Sequence, residues 1–502
     1  MKLTALISTL NFRLQTDLFI DDIDVFDIVC DSRKATTDTA FICITGANVD
    51  GHSYAKQAYQ NGCRVFIAEQ ELSLAADAVI VITPDTKIAL ALMSDILFDH
   101  PSEKLTLIGV TGTKGKTSVT TIAASVFNHS GIKTATIGTN GIMIDGVLTP
   151  TLNTTPDAYE LNRAFAEMVK KNIQCAIIEV SSQALYMKRV YGLKFQIGIF
   201  TNLSPDHIGG AEHPTFEHYQ NCKAMLFRQC RYGILNSDDE HYFDMIKGSG
   251  CICTTYGTKA PADYLASDIK ISQDGDMGIS FSVKNNGQLY HLICATPGLF
   301  SVYNALAVFA LAQRLNIPFE KIAQGLKNVH VPGRFELIPS LPGITTVIDY
   351  AHNALSLKNV LMTLRMYHPK RLICLFGCVG GRTKTRRKEM GEIASEHADF
   401  CILTSDNPDF EPPLNIIADI EKGFAGSQCP YRVIADRREA IRYALENACS
   451  GDVILLAGKG HETYQLIEGE KVPFSEKEIV AEFCAKANSK NASQFPRERL
   501  PL

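Results

Sequence analysis

The sequence predicts an α/β protein of several domains, on three observations. Its 502 residues exceed what one hydrophobic core organises, and chain length alone suggests roughly three domains. Short apolar runs alternate with longer amphipathic stretches through most of the chain. Each run is followed by Gly, Asp, Asn or Ser and then by helical spacing. In such sheets the ligand-binding loops lie at the carboxyl ends of the strands.

The strand candidates, in order, are Leu105–Val110, Ala176–Val180, Ile197–Phe200, Thr346–Ile348, Leu372–Phe376, Phe400–Thr404 and Val453–Ala457. Three blocks are expected: residues 1–98, 99–330 and 331–502, the third opening at Val331-Pro332-Gly333-Arg334. The chain from Asn488 onward, rich in Ser, Asn, Arg and Pro, is expected to be a loose terminus.

A net charge of −5 gives no reason to expect a nucleic-acid partner. The 15 cysteines are odd in number and form no repeated CxxC pairs. Cys251 and Cys253 are separated by one residue and Cys374 and Cys378 by three, poor zinc spacings, so reduced thiols of a cytosolic enzyme are expected. The apolar run Leu3–Leu10 ends at Asn11 without a convincing cleavage site, and no stretch approaches a membrane span. A cytoplasmic enzyme without membrane insertion, and a monomer, are the expectations.

The chemistry begins at Gly112-Thr113-Lys114-Gly115-Lys116-Thr117, which follows the strand candidate ending at Val110 and precedes helical spacing over Val119–His129. Glycines let backbone N–H groups wrap a phosphate, Lys116 supplies a point charge, and Thr117 a hydroxyl for Mg²⁺. The strict phosphate-loop spacing would place Gly at 110, where Val stands. Glu179 ends an apolar strand, where a buried carboxylate needs a cation; an N-cap or salt-bridge role is its plainer reading.

Further motifs follow in order: Asn153-Thr154-Thr155-Pro156, Glu179-Val180-Ser181-Ser182, Arg189-Val190, Phe200-Thr201-Asn202-Leu203 with Asp206-His207, Tyr219 with Lys223, and Tyr303-Asn304-Ala305. The third block carries Pro332-Gly333-Arg334-Phe335-Glu336, Asp349-Tyr350-Ala351-His352, Asp406-Asn407-Pro408 and Gly458-Lys459-Gly460-His461-Glu462. Near the start stand Asp31-Ser32-Arg33 and Asp50-Gly51-His52. This ordered set resembles the Mur ligase family, and most closely its members that add the third residue of the peptidoglycan stem peptide.

The resemblance implies a three-domain architecture: a central phosphate-loop domain binding ATP, an N-terminal UDP-binding α/β domain and a C-terminal Rossmann-like domain. It implies an ADP-forming ligase that phosphorylates a carboxylate of UDP-MurNAc-L-Ala-D-Glu and lets an incoming amino acid attack the acyl phosphate. Lys116 and the loop residues would hold the phosphates, Asn304 the adenine, and Arg334 and Asp349 would complete the ATP site from the third domain by hinge closure. Thr117, Glu179 and His207 would hold Mg²⁺, and Lys223 would be carbamylated. Ser32, His52, Thr154, Thr155, Ser182 and Arg189 would contact the UDP substrate. Arg382, Asp406, Asn407, Asp409, Gly458 and Glu462 would bind the amino acid.

The departures are informative. Gln183 stands where the family often has His, and cannot ionise. Asp409 follows Asp406-Asn407-Pro408, where enzymes using meso-diaminopimelate usually carry Arg. An anion there would repel a distal carboxylate and attract a distal ammonium, so L-lysine or a similar diamino acid is the expected substrate. The alternative is that Asp409 faces solvent while Arg382, Asn407 and Glu462 still select meso-diaminopimelate. A folylpolyglutamate synthase-like ligase lacks the first block's motifs, and an inert nucleotide binder would be expected to have lost one of the retained charged residues.

Overall fold

The computed structural model describes residues 1–46, 49–205, 208–209, 212–259, 261–271, 277–381 and 384–494. The chain divides into two compact units: Met1–Ser267 with Ser282–Tyr290 and Tyr303–Leu326, and Asp268–Phe281 with His291–Val302 and Lys327–Leu502.

The first unit opens with a sheet of β1 (Arg13–Gln15), β2 (Asp27–Val29), β3 (Thr39–Ile42), β4 (Val65–Ala68) and β5 (Val79–Ile82), in the order β1-β5-β4-β3-β2. Strands β2 to β5 are parallel, and β1 runs antiparallel to β5. Strands β3, β4 and β5 are buried throughout, which is why Val65-Phe-Ile-Ala and Val79-Ile-Val-Ile read as unbroken apolar runs. Helix α1 (Thr86–Leu97) is capped by Asp85, whose carboxylate accepts from the Lys87 and Ile88 amides.

A second, eleven-stranded sheet includes β6 (Thr106–Thr111), β7 (Thr134–Gly138), β8 (Gly141–Ile144), β9 (Val147–Thr149), β10 (Cys175–Glu179), β11 (Phe195–Phe200), β12 (Cys230–Asn236) and β13 (Ile252–Gly257). Their order is β13-β12-β11-β6-β10-β7-β8-β9, parallel from β13 to β7 and antiparallel beyond. The chain passes from β10 to β11 across β6, so the carboxyl ends of β10, β6 and β11 lie side by side at a topological switch point. Helices α2 (Lys116–His129), α3 (Ala158–Lys170), α4 (Ser182–Tyr186), α5 (Phe216–Ala224) and α6 (Leu299–Arg314) carry most of the residues of interest.

The second unit's sheet holds β14 (Glu336–Ile338), β15 (Thr345–Asp349), β16 (Arg371–Phe376), β17 (Phe400–Leu403), β18 (Tyr431–Val433) and β19 (Asp452–Ala457), in the order β14-β15-β19-β16-β17-β18. All pairs are parallel except β14 with β15. A separate hairpin, β20 (Tyr464–Ile467) and β21 (Glu470–Pro473), follows.

All seven expected strands form, most of them extended by a residue or two. The tail differs from expectation: the last helix runs from Glu476 to Gln494, past Asn488. No Pro or Gly interrupts residues 476–494, so nothing local stops the helix there. Among the described residues no helix is long and apolar enough to cross a membrane. The cysteines there are all free thiols, and only Cys30 and Cys449 are exposed.

Candidate active site

Strand β6 delivers the chain to Gly112, whose φ of +147° suits glycine. A Cβ there would lie 1.9 Å from Thr201 Oγ1, so only glycine allows this approach. The loop is pinned to the neighbouring strand end: the Thr113 amide donates to Asn202 O (2.8 Å), the Lys114 amide to Asn202 Oδ1 (3.0 Å), and Thr201 Oγ1 to Lys114 O (2.6 Å). Lys116 Nζ folds back onto Gly112 O (2.8 Å) and Thr113 O (3.1 Å). Helix α2 therefore begins with its first backbone amides and one ammonium around the loop, an arrangement suited to phosphate. Asn304, buried on α6, places its Oδ1 2.8 Å from where a Cβ on Gly115 would sit.

Glu179 closes β10 and is buried. Its carboxylate accepts from Thr117 Oγ1 (3.0 Å), the Thr139 amide (3.0 Å) and Thr139 Oγ1 (3.1 Å), which offsets the cost of burying the charge. Gly138 leaves room for it, since a Cβ there would meet Glu179 Oε1 at 2.1 Å. Lys223, buried near the end of α5, donates to Gly112 O (2.8 Å) and sits over the Tyr219 ring at 4.5 Å. His207, the other expected metal ligand, and its neighbour Asp206 lie outside the described residues.

Residues expected to meet the substrate gather beside Glu179. Thr139 Oγ1 is 3.3 Å from Thr154 Oγ1, and Thr155 Oγ1 donates to Glu179 O at 2.7 Å. Arg189 donates to Thr155 O at 2.8 Å. Burial lowers the Arg189 pKa, and Asp157 and Glu160 work against that shift. Among the described residues Gln183 Oε1 is buried without a hydrogen-bond partner, so a neutral acceptor stands where the family often has a histidine. In the first sheet Ser32 Oγ donates to Gln57 Oε1 (2.8 Å). His52 has both ring nitrogens engaged, Nδ1 with Asp50 Oδ1 (2.6 Å) and Nε2 accepting from the Glu69 amide (3.0 Å).

In the second unit the expected residues again cluster at strand ends. Asp349 closes β15, and its carboxylate accepts from the Phe335 amide at 2.7 Å. Burial pushes its pKa up, while Arg334, stacked 4.6 Å over Tyr350, pulls the other way. The Gly458 amide donates to Asp349 O at 3.0 Å. Asn407 donates to Glu462 Oε2 (2.9 Å), and Lys459 Nζ reaches both Asn407 Oδ1 (3.0 Å) and Glu462 Oε2 (3.1 Å). Asp406 is fully buried, and among the described residues its Oδ1 has no hydrogen-bond partner, with Lys459 Nζ 3.7 Å away. Burial drives its pKa up to about 6, against the pull of Arg437 and Lys459.

Arg382 lies outside the described residues. Asp409, half-buried with φ +52°, turns its carboxylate onto the β20–β21 hairpin: Oδ1 accepts from the Gly469 amide at 2.9 Å. Its backbone also pairs with Leu466 O and the Glu468 amide.

Sequence reasoning passed over Thr139 and Lys459. The signal for Lys459 was a lysine between two glycines at a strand end; nothing local marks Thr139, which gains its place only when β7 pairs beside β10.

Three family profiles match in succession: "Mur ligase family, catalytic domain" over residues 26–105, "Mur ligase middle domain" over 110–312, and "Mur ligase, glutamate ligase domain" over 333–460. The chain belongs to the Mur ligase family. It is accordingly an ATP-dependent, ADP-forming amino-acid ligase of peptidoglycan synthesis. One similar Mur ligase is the UDP-N-acetylmuramoyl-L-alanyl-D-glutamate–2,6-diaminopimelate ligase of Caldanaerobacter subterraneus subsp. tengcongensis, 41% identical over 93% of this chain and 96% of that one. The enzyme of the same name from Clostridium perfringens is 39% identical over 91% of this chain and 94% of that one. A solved structure under that name superposes with a TM-score of 0.69 at 31% identity, covering 94% of this Mur ligase and 97% of its own chain. These relatives favour diaminopimelate over the lysine expected from Asp409. The charge argument treated that carboxylate as unengaged, and one of its oxygens accepts a backbone amide of the hairpin.

Proposed function

We propose that this Mur ligase joins meso-diaminopimelate to UDP-MurNAc-L-Ala-D-Glu, the third-residue step of the peptidoglycan stem. The observation that carries this reading is its kinship, at about two-fifths identity over nine-tenths of the chain, with enzymes bearing that name. The hydrogen bond from Gly469 to Asp409 supports it, because it gives that carboxylate a structural task apart from the substrate.

The reaction transfers the ATP γ-phosphate to a substrate carboxylate; the amine then attacks the acyl phosphate, and phosphate leaves with ADP as co-product. Lys116 and the loop amides hold the phosphates, and Asn304 reads the adenine. Arg189, Thr154, Thr155 and Ser182 orient the muramoyl-dipeptide carboxylate, with Ser32 and His52 toward its UDP end. Arg334 and Asp349 are further ATP-binding residues. Arg382, Asp406, Asn407, Asp409, Gly458 and Glu462 surround the amino acid, Asp409 through the hairpin it secures.

The donor set at Glu179 fits Mg²⁺: a carboxylate with two hydroxyls within 3.1 Å, all hard oxygens. Thr117, Glu179 and His207 would hold the ion, with a carbamate on Lys223 as the further anionic group. Bound there, Mg²⁺ would neutralise charge gathering on the transferring phosphoryl group. The division 1–98, 99–330 and 331–502 assigns these tasks to UDP-substrate, ATP and amino-acid domains of a cytoplasmic monomer.

Phosphate release measured with UDP-MurNAc-L-Ala-D-Glu as acceptor tests the substrate. Turnover is expected with meso-diaminopimelate and little with L-lysine; the opposite preference would sink the proposal.

A further inference from the structure

Helix α5 carries His218 and Cys222 one turn apart, so the two side chains share a face. Thr215 caps the helix by accepting from the His218 amide at 3.1 Å, which fixes where that face points. His213 comes against it from the preceding segment. Its Nδ1 lies 2.9 Å from His218 Nδ1, and Cys222 Sγ is 3.7 Å from the same atom. One ligand-capable atom from each of the three residues lies within 4.8 Å of the others. His213 and Cys222 are buried and His218 is half-buried.

The surroundings match a metal site in a second respect. His213 Nε2 is 2.9 Å from Ser182 Oγ; with Nε2 as the donor, this is the outer hydrogen bond that orients a ligating imidazole and leaves Nδ1 its lone pair. The rings of Tyr186 and Tyr219 pack edge-on at 5.0 Å from His218 and 5.2 Å from His213. Two imidazoles and a thiol are a borderline-soft donor set, suited to Zn²⁺ and unsuited to Mg²⁺, which prefers oxygens.

We propose that His213, His218 and Cys222 bind a zinc-class divalent ion through three protein ligands, with the fourth position open to water. This site is separate from the oxygen donors around Glu179. Cys222 adjoins Lys223, which reaches Gly112 O, and His213 contacts Ser182. An ion here would tie the segment before α5 to α5 itself, steadying the lysine at the phosphate loop and, through the His213–Ser182 contact, the serine beside the substrate. Sequence spacing hid the set, because the nearest-neighbour pattern is His-x4-His-x3-Cys and not a paired CxxC.

The test uses the full chain stripped with chelator and held in excess Mg²⁺, so that the oxygen site is satisfied. Zn²⁺ is titrated against a chromophoric competitor, and Co²⁺ is followed by its absorption spectrum. One equivalent should bind at roughly micromolar affinity or tighter, and Co²⁺ should show tetrahedral bands with a single thiolate-to-metal transition. Cys222→Ser should remove that transition and weaken Zn²⁺ by roughly 100-fold, as should His218→Asn, whereas Cys253→Ser should change neither. Thermal melting checks that each variant folds, and the two ligand variants serve as each other's reserve. Stoichiometric binding that survives both, a cobalt spectrum without sulfur, or no binding at all would each overturn the proposal.

Discussion

At Glu179 the carboxylate is held by three donors from two threonines, and those same hydroxyls can rotate to face an ion. Glu179→Gln keeps the shape but loses the charge. Phosphate release should fall by roughly 100-fold or more while the melting temperature stays within a few degrees. Asp406 yields a prediction about pH. Its folded pKa of about 6 lies above the ordinary 3.8, so the native state binds the proton more tightly than the unfolded chain. Its contribution to stability is neutral below the unfolded value, declines between about pH 4 and 6, and above that costs about 3 kcal/mol. Urea unfolding followed across that window should show Asp406→Asn flattening the decline; an unchanged profile would refute the assignment. Glu336 works in the opposite sense: burial opposes ionisation, but His330, Lys477 and the Gly333 amide hold its pKa down to about 2. Its stabilisation is complete above the usual carboxylate range and disappears as pH falls toward 2. Residue types at the site were legible because the motifs are local; Thr139 was not, because its role depends on strand pairing rather than on neighbours in sequence.

Among the elements, the phosphate loop and the β20–β21 hairpin carry the sharpest consequences. Helical spacing was legible from Val119, yet α2 begins at Lys116; the polar start Lys116-Thr117-Ser118 conceals a turn whose side chains serve the loop rather than the core. Gly112→Ala would force a Cβ into Thr201 at an unfavourable φ, at roughly 1–3 kcal/mol for the strain alone. Differential scanning fluorimetry should then show ATP no longer stabilising the protein, although the wild type gains several degrees. The hairpin was invisible as a determinant of Asp409: sequence shows a charge, while its orientation depends on Gly469, 60 residues away. Asp409→Ala should loosen the hairpin by about 1 kcal/mol in denaturant melts and leave the choice of amine unchanged. A switch toward or away from lysine in that variant would restore a direct contact with substrate.

For the whole molecule, the existence of strands was legible because buried parallel strands are unbroken apolar runs. Their order was not. The placement of β6 between β10 and β11 follows from crossover packing, and it is this order that brings Gly112, Glu179 and Thr201 to one edge. The phosphate loop and Asn304 belong to the first unit, so a non-hydrolysable ATP analogue should raise the calorimetric transition of that unit. The gain should be about 2.7 kcal/mol at a hundredfold excess over Kd. Lys116→Ala should abolish that gain; an undiminished shift would place the nucleotide elsewhere.

One carbonyl oxygen, that of Gly112, accepts from two ammonium groups, Lys116 and Lys223, each at 2.8 Å. Two positive charges thus stand no more than about 6 Å apart, a mutual repulsion of order 3 kcal/mol at an effective dielectric of about 20. A carbamate on Lys223 would reverse the sign of that interaction. The loop would then act as its own inducement to modification, making the ligase responsive to dissolved carbon dioxide, and Lys116→Ala should lower the carbamate signal seen by carbon-13 NMR in labelled bicarbonate.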